Sequence, residues 1–272
     1  MNKKANTITI FNYSFIIVFC IFTISPYVLI LFSLFNTNVD IRRGDLFSNI
    51  SFQSFIANWR SLVGTVEFFM AMLNSFIVSF FSMIFGVLIA SMAGYAYVIH
   101  KNRITKILFD ITFFCILVPM SAIIIPLFRL LQNINLLDNL LTVIILSLSL
   151  PFMTYLFKQN SKTFPIELIK IARVDGLNEI SIFFKVYLPN MKSVVITAMT
   201  LLFIQSWNGF LMPLVIIQSQ SNMTLPLFLN RFGANPGSDY GAFMLGLIVS
   251  TIPTLIIFVF FQKFFRMGMK QL

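Results

Sequence analysis

Most of the residues whose type and spacing could do chemistry lie between Thr163 and Met191, where the chain reads TFPIELIKIARVDGLNEISIFFKVYLPNM. The chemistry this segment suggests is recognition. Pro165 suits a first helical turn, and Glu167 complements the partial positive charge of a helix N-terminus. Ile166, Ile169 and Ile171 to Val174 supply apolar groups, while Lys170 and Arg173, three apart, share one exposed face. Asp175-Gly176 then ends the helix, with Gly able to take the left-handed conformation such an end needs. Ile180 to Leu188 restarts it and Pro189 stops it again. The period predicts two short amphipathic helices separated by a turn.

Elsewhere the residues that carry reactions are few. Cys20 and Cys115 fall inside apolar runs, where they read as small hydrophobes and not as a disulfide pair or metal site. No GxxxxGK followed by Ser or Thr is present, so the chain has no phosphate-cradling loop of its own. Asp110 lies close in sequence to Lys106 and Arg103 and is expected to form an interfacial ion pair. Arg129 is expected to snorkel and His100 to sit at the interface. No catalytic or metal-ligating residue is assigned.

Two uses fit the helical pair between Lys158 and Ser193. It could lie on the membrane surface, with Lys and Arg drawn to anionic headgroups. Alternatively it could project as a short rigid knob that fills a groove on a soluble partner. Residue chemistry alone leaves both open.

The elements that must position this loop follow from composition. The 272 residues are 58% hydrophobic and only 10% charged, whereas a soluble domain carries about a quarter charged residues. Lipid is the solvent these numbers imply. The net charge of +10 is spread over short clusters between apolar runs, without the basic stripe that nucleic-acid binding requires. Six segments reach the roughly 20 apolar residues needed to cross a bilayer. They run from Phe11 to Phe35, Phe68 to Ile99, Ile107 to Leu131, Leu140 to Phe157, Val194 to Ile217 and Gly241 to Phe261. Pro26, Pro119, Pro126, Pro213 and Pro253 predict kinks within them. The first segment is longer than a signal-peptide core and no small-x-small site follows it, so it reads as an uncleaved anchor.

Basic residues set the orientation. With the N-terminus inside, the inner connections hold fourteen of the nineteen Lys and Arg residues and the outer ones five, namely Arg42, Arg43, Arg60, Arg129 and Arg231. Positive charge is retained on the cytoplasmic side. The expectation is an all-α membrane protein of about six transmembrane helices with both termini cytoplasmic. The long loop from Lys158 to Ser193 then faces the cytoplasm.

That loop resembles the EAA loop of ATP-binding-cassette importer permeases. Lys170-Ile171-Ala172 occupies the EAA triplet, followed by Arg173, Val174 and Asp175-Gly176, with Leu188-Pro189 at the distal end. Two triplet positions depart from the family pattern, while Asp-Gly and Leu-Pro stand at the expected spacing. The resemblance extends over nearly the whole chain and narrows to carbohydrate importers, similar to the maltose-type permeases. It is carried by Asn74-Ser75, Ala93-Gly94-Tyr95-Ala96, Pro119 with Pro126, Trp207-Asn208-Gly209-Phe210 with Pro213-Leu214, Thr224-Leu225-Pro226 and Phe260-Phe261-Gln262-Lys263-Phe264.

What the resemblance implies is one permease domain over 1–272, with a core at 68–263 and a coupling loop at 158–193. It implies a homologous second permease, a cytoplasmic ATPase dimer that binds the ATP, and an extracytoplasmic sugar-binding protein. This chain would bind no cofactor. Glu167, Lys170, Ala172, Arg173, Asp175, Gly176 and Pro189 are the expected ATPase-docking positions. Intramembrane polar groups that could line a path are Asn74, Ser79, Gln205, Trp207 and Asn208, since such groups face a cavity or another helix. The rival readings are an ion-coupled secondary transporter, which would show internal repeats, and a membrane scaffold that transports nothing.

Overall fold

The computed structural model of the chain describes residues 3–47, 49–100, 102–148, 151–235 and 237–269, and among them every regular element is helical. Along the chain these are α1 (Lys3–Ser33), α2 (Asn38–Arg43), α3 (Phe52–Val63) and α4 (Val66–Ile99). There follow α5 (Arg103–Cys115), α6 (Met120–Asn133), α7 (Leu140–Ser147), α8 (Pro151–Ser161), α9 (Ile166–Val174), α10 (Glu179–Ile182) and α11 (Leu188–Asn190). The last four are α12 (Lys192–Trp207), α13 (Leu211–Ile216), α14 (Leu225–Ala234) and α15 (Tyr240–Met269). Four stretches are long and apolar enough to span a bilayer: Asn12–Ser33, Val66–Tyr97, Leu140–Ser161 and Tyr240–Gln262. Two bent helix pairs bring the possible total to six.

The bends revise two of the expected spans. The third is broken, because α5 ends at Cys115 and α6 restarts after Pro119 at 101° to it. Pro119 cannot donate to the preceding turn, and it disfavours helical geometry in the residue before it. The fifth is not a continuous helix from Val194 to Ile217. α12 stops at Trp207, and α13 begins only at Leu211. Asn208-Gly209 lies in the break, with the Gly209 N–H bonded to the Ser206 carbonyl. Pro26, Pro126 and Pro253 lie inside continuous helices.

The chain divides into two compact units. One comprises Met1–Phe68 with Leu229–Ile252. Here α1 leaves its apolar side chains exposed, as a helix whose solvent is lipid must. Asparagines fasten its end to the rest of the unit. The Asn58 amide donates to the carbonyls of Leu34 and Asn36 at 2.9 and 3.2 Å, and Asn36 donates to Phe32 and Leu46. Asn38 accepts from the Tyr240 N–H at 2.6 Å, and Arg42 lies over the Tyr240 ring.

The other unit comprises Phe69–Phe228 with Pro253–Leu272. Its lower α4, α8 and the 164–202 segment share one apolar core that includes Tyr95, Phe157, Ile169, Ala172, Phe183, Tyr187 and Leu202. At the opposite end of α4, Asn74 donates to the carbonyls of Ser221 and Met223 at 2.8 and 2.9 Å, while the Ser75 hydroxyl accepts the Leu225 N–H. Asp138, held at φ 55, fixes the same segment from its other side. Its carboxylate accepts the Gln218 and Ser219 N–H groups and the Ser219 hydroxyl, and its own N–H donates to Ile216. Burial pushes the Asp138 carboxyl up, but these hydrogen bonds outweigh it and hold it below the usual carboxylate range.

α4 and α8 approach each other closely at Gly94. A Cβ there would stand 2.5 Å from the Phe157 Cβ and 3.2 Å from the Lys158 nitrogen, both on α8. Neither neighbour is the flexible end of a side chain, so a larger residue must push α4 and α8 apart. Gly94→Val should therefore destabilise the protein by about 3 kcal/mol or more. The expected readout is loss of the monodisperse peak in size-exclusion chromatography in mild detergent.

Candidate functional site

The connection from 158 to 193 folds as the sequence pattern predicts for its first half. α9 starts after Pro165, which occupies the cap position and has no N–H to satisfy. Ile169 and Ala172 face the core, whereas Glu167, Lys170 and Arg173 are exposed. Its end is closed twice over. The Gly176 N–H bonds to the Arg173 carbonyl at 3.1 Å and the Leu177 N–H to the Ala172 carbonyl at 3.0 Å, the paired arrangement of a Schellman turn. Gly176 sits at φ 80, and a Cβ there would meet nothing within 4 Å. Backbone conformation alone therefore demands glycine at this position.

The second half departs from expectation. α10 is only four residues long, capped by Asn178, and gives way to a π-helical turn over Phe183–Tyr187. Pro189 does not stop the helix. It lies inside α11, and the chain bends by 85° between Glu179–Asn190 and α12. Pro189 has no N–H and its ring crowds the carbonyl four residues back. The wider π turn just before it accommodates that conflict.

A polar strap ties the turn to α4. The Arg173 Nε donates to the Glu179 Oε1 at 2.7 Å, the one ion pair among the described residues. The other carboxylate oxygen of Glu179 accepts from the Tyr95 hydroxyl at 2.9 Å. The hydrogen bond from Arg173 holds the Glu179 carboxyl below its ordinary range against the opposing effect of burial, with Tyr95 adding to the lowering. The same contact raises Arg173. Tyr95 packs on Phe183 and Tyr187 with ring centroids 5.5 and 4.9 Å apart, and the Tyr187 and Ser161 hydroxyls hydrogen-bond beneath them. Asp110, expected in an ion pair, forms none with the described residues.

The outward side of this loop is apolar. Leu168, Ile171 and Val174 on α9 and Ile180 and Phe184 beyond the turn are all exposed, Val174 at 88% and Ile180 at 70%. Lys170, Glu167 and Asp175 flank them. Exposed apolar side chains on a polar-rimmed turn have the character of a protein-docking surface.

The expected path residues are not gathered into one site. Asn74 is buried and its amide is committed to the Ser221 and Met223 carbonyls. Trp207 is buried and stacked on Phe203 at 5.8 Å. Gln205 and Asn208 are exposed, three apart on α12 and just beyond it, with Asn208 also bonded to the Ile204 carbonyl. Ser79 is buried with its hydroxyl unpartnered. Sequence reasoning missed Glu179. Its signal was local: Asn178 as a helix cap placed the carboxylate at the first turn, six residues past Arg173.

Comparison with known proteins decides the class. Residues 82–271 match the family described as binding-protein-dependent transport system inner membrane component. The chain belongs to this family. As an inner membrane component of such a system, it is a transport subunit that works with a substrate-binding partner. It is 31% identical to the lactose transport system permease protein LacG of Rhizobium radiobacter, over 96% of this chain and 94% of that protein. It is 31% identical to the arabinooligosaccharides transport system permease protein AraQ of Bacillus subtilis, over 72% and 70%. To the sn-glycerol-3-phosphate transport system permease protein UgpE of Yersinia pestis it is 27% identical, over 78% and 76%. Its fold matches a chain of a bacterial ABC transporter involved in the import of the acidic polysaccharide alginate, with a TM-score of 0.82 and 21% identity over 97% and 99% of the two chains.

The strap of this inner membrane component should respond to charge. Because the folded-state pKa of Glu179 is depressed, its contribution is present above the unfolded value near 4.3 and is lost as pH falls through the folded value. Glu179→Gln should speed amide exchange over residues 173–180 by about two- to fivefold, the scale of a half-exposed ion pair. Corrected for intrinsic rates, wild type should converge on the variant as pH falls through that depressed value.

Proposed function

We propose that this chain is one of two homologous permease subunits of an ATP-driven importer of a sugar or oligosaccharide. The observation that carries the reading is the similarity to LacG along 96% of the chain. AraQ, also named for an oligosaccharide, matches over a shorter region. UgpE extends the range of related solutes to a phosphorylated polyol. A binding protein delivers the sugar from outside, and two cytoplasmic ATPase subunits supply the energy. The chain itself binds no nucleotide and no cofactor.

In this reading both termini and the 158–193 loop are cytoplasmic, and 1–272 acts as one permease domain with its core at 68–263. The loop enters a groove on an ATPase subunit. Leu168, Ile171 and Val174 supply apolar contact, with Glu167, Lys170 and Asp175 at its margin. Ala172 seats α9 on the core, and Gly176 sets the angle at which α9 leaves it. Arg173, through Glu179 and Tyr95, links the turn to the end of the second span. Pro189 and the π turn before it hand the displacement to α12. Closure of the ATPase groove becomes a rigid-body movement of helices by this route.

The sugar passes along the polar side of α12. Gln205 and Asn208 offer amides there, while Trp207 and Asn74 hold the neighbouring segments in place. Amide donors and acceptors suit hydroxyl-rich solutes, which need many directional bonds.

Purification of the tagged protein from native membranes in mild detergent should recover a second permease and an ATPase. A chain isolated alone that still drives uptake into vesicles without ATP would replace this reading with ion-coupled transport. Gly176→Val places a β-branched residue at φ 80, at a cost of about 1–2 kcal/mol. This variant and Asp175→Lys should insert normally yet reduce uptake to about a tenth or less, a coupling loss of at least ~1.4 kcal/mol.

A further inference from the structure

The end of α4, the start of α5 and the last turns of α8 enclose a cleft of about 210 Å³ lined by Tyr97, Asn102, Thr105, Lys106 and Lys158. Its charge is out of balance. Lys158 lies over the rings of Phe109 and Tyr97, and Lys106, Lys162 and Asp110 are all close enough to act on its charge. Neither Lys106 nor Lys158 forms an ion pair among the described residues. The ammonium groups of Lys106, Lys158 and Lys162 thus face the single carboxylate of Asp110, which forms an ion pair with none of them, and leave the cleft net positive.

The polar neighbours are arranged to add a donor. The Asn102 side-chain oxygen accepts the Thr105 N–H, and the Thr105 hydroxyl is bonded to the His100 carbonyl. That leaves the Asn102 amide and the two lysines as donors around the cleft. An anion with several oxygens would satisfy them together.

The surroundings say where that anion comes from. Phe109, Phe113 and Tyr155 form an aromatic wall along α5 and α8 that begins beside Lys158 and ends at the exposed Phe113. α4 and α8 both belong to stretches of membrane-spanning length. A soluble anion has no use for an apolar wall leading out of the cleft, whereas acyl chains do. We propose that this cleft binds the phosphodiester headgroup of an anionic membrane lipid, with Lys106, Lys158 and Asn102 on the phosphate and the wall of Phe109, Phe113 and Tyr155 against the chains.

The test is lipid retention by the full chain purified in neutral detergent, counted by native mass spectrometry. Short-chain phosphatidylglycerol, phosphatidylcholine and inorganic phosphate are titrated separately and in competition. Phosphatidylglycerol should be retained at concentrations about tenfold lower than phosphatidylcholine. The double variant Lys106→Gln, Lys158→Gln should weaken its retention about tenfold or more, and Lys106→Arg, Lys158→Arg should restore it. Unchanged retention in the Gln variant overturns the proposal. So does displacement of the lipid by inorganic phosphate at equal concentration, which would make this a site for soluble phosphate. Wild type decides the matter even if the Gln variant misfolds, because equal retention of the two lipids also overturns it.

Discussion

Backbone groups in hydrocarbon must find their partners inside the protein, and this constraint shapes how the spans end. A continuous span such as α1 satisfies it internally and can expose nearly every side chain to lipid. Where the helices stop, side chains take over. Asn58 covers the carbonyls at the end of α1, Asn74 those of Ser221 and Met223, and Asp138 the N–H groups of Gln218 and Ser219. Each of these side chains thus closes a backbone account that a transmembrane helix would have closed by itself. For Asn74 this settles the use of its amide, which is directed at main chain.

The same constraint operates differently in the 158–193 connection, where apolar packing and polar caps share the task. The Schellman turn at Gly176 satisfies the end of α9, and Asn178 satisfies the start of α10. Between them the strap from Arg173 through Glu179 to Tyr95 spans the turn. As a half-exposed ion pair its stabilisation is small. Its value lies in geometry, because the Tyr95 end is buried against Phe183 and Tyr187 while the Arg173 end is at the surface. A load on α9 therefore reaches α4 through a short chain of directed contacts as well as through packing.

Hydropathy made the spans legible, since a run of twenty apolar residues has one dominant use in lipid. It could not show breaks. The residues from Val194 to Ile217 are apolar apart from Thr197, Thr200, Gln205, Ser206 and Asn208-Gly209, and nothing in their periodicity distinguishes one helix from α12 followed by the short α13. Likewise Asp110, close in sequence to Lys106 and Arg103, suggested an ion pair that side-chain direction does not provide. Gly176 was legible because its role is local. Tyr95 with Glu179, 84 residues apart, and Asn74 with Met223, 149 apart, were not, because only tertiary structure joins them.

The two departures from the family triplet acquire a physical meaning in the fold. Ala172, which keeps the family residue, is buried against the apolar core, where a larger side chain would have to displace Tyr187 or its neighbours. Lys170 and Ile171, which differ, are both exposed. The position that fixes how α9 sits is thus retained, and the positions free to vary are those a docked protein would touch. Replacing the family carboxylate by an ammonium at 170 leaves the loop fold intact and inverts the charge it presents. A groove built for the family residue would place its donors against Lys170, at the cost that like charges carry across an interface. In the proposed docking, substitution at this position would bear on which partner is accepted, whereas Ala172 and Gly176 shape the turn itself.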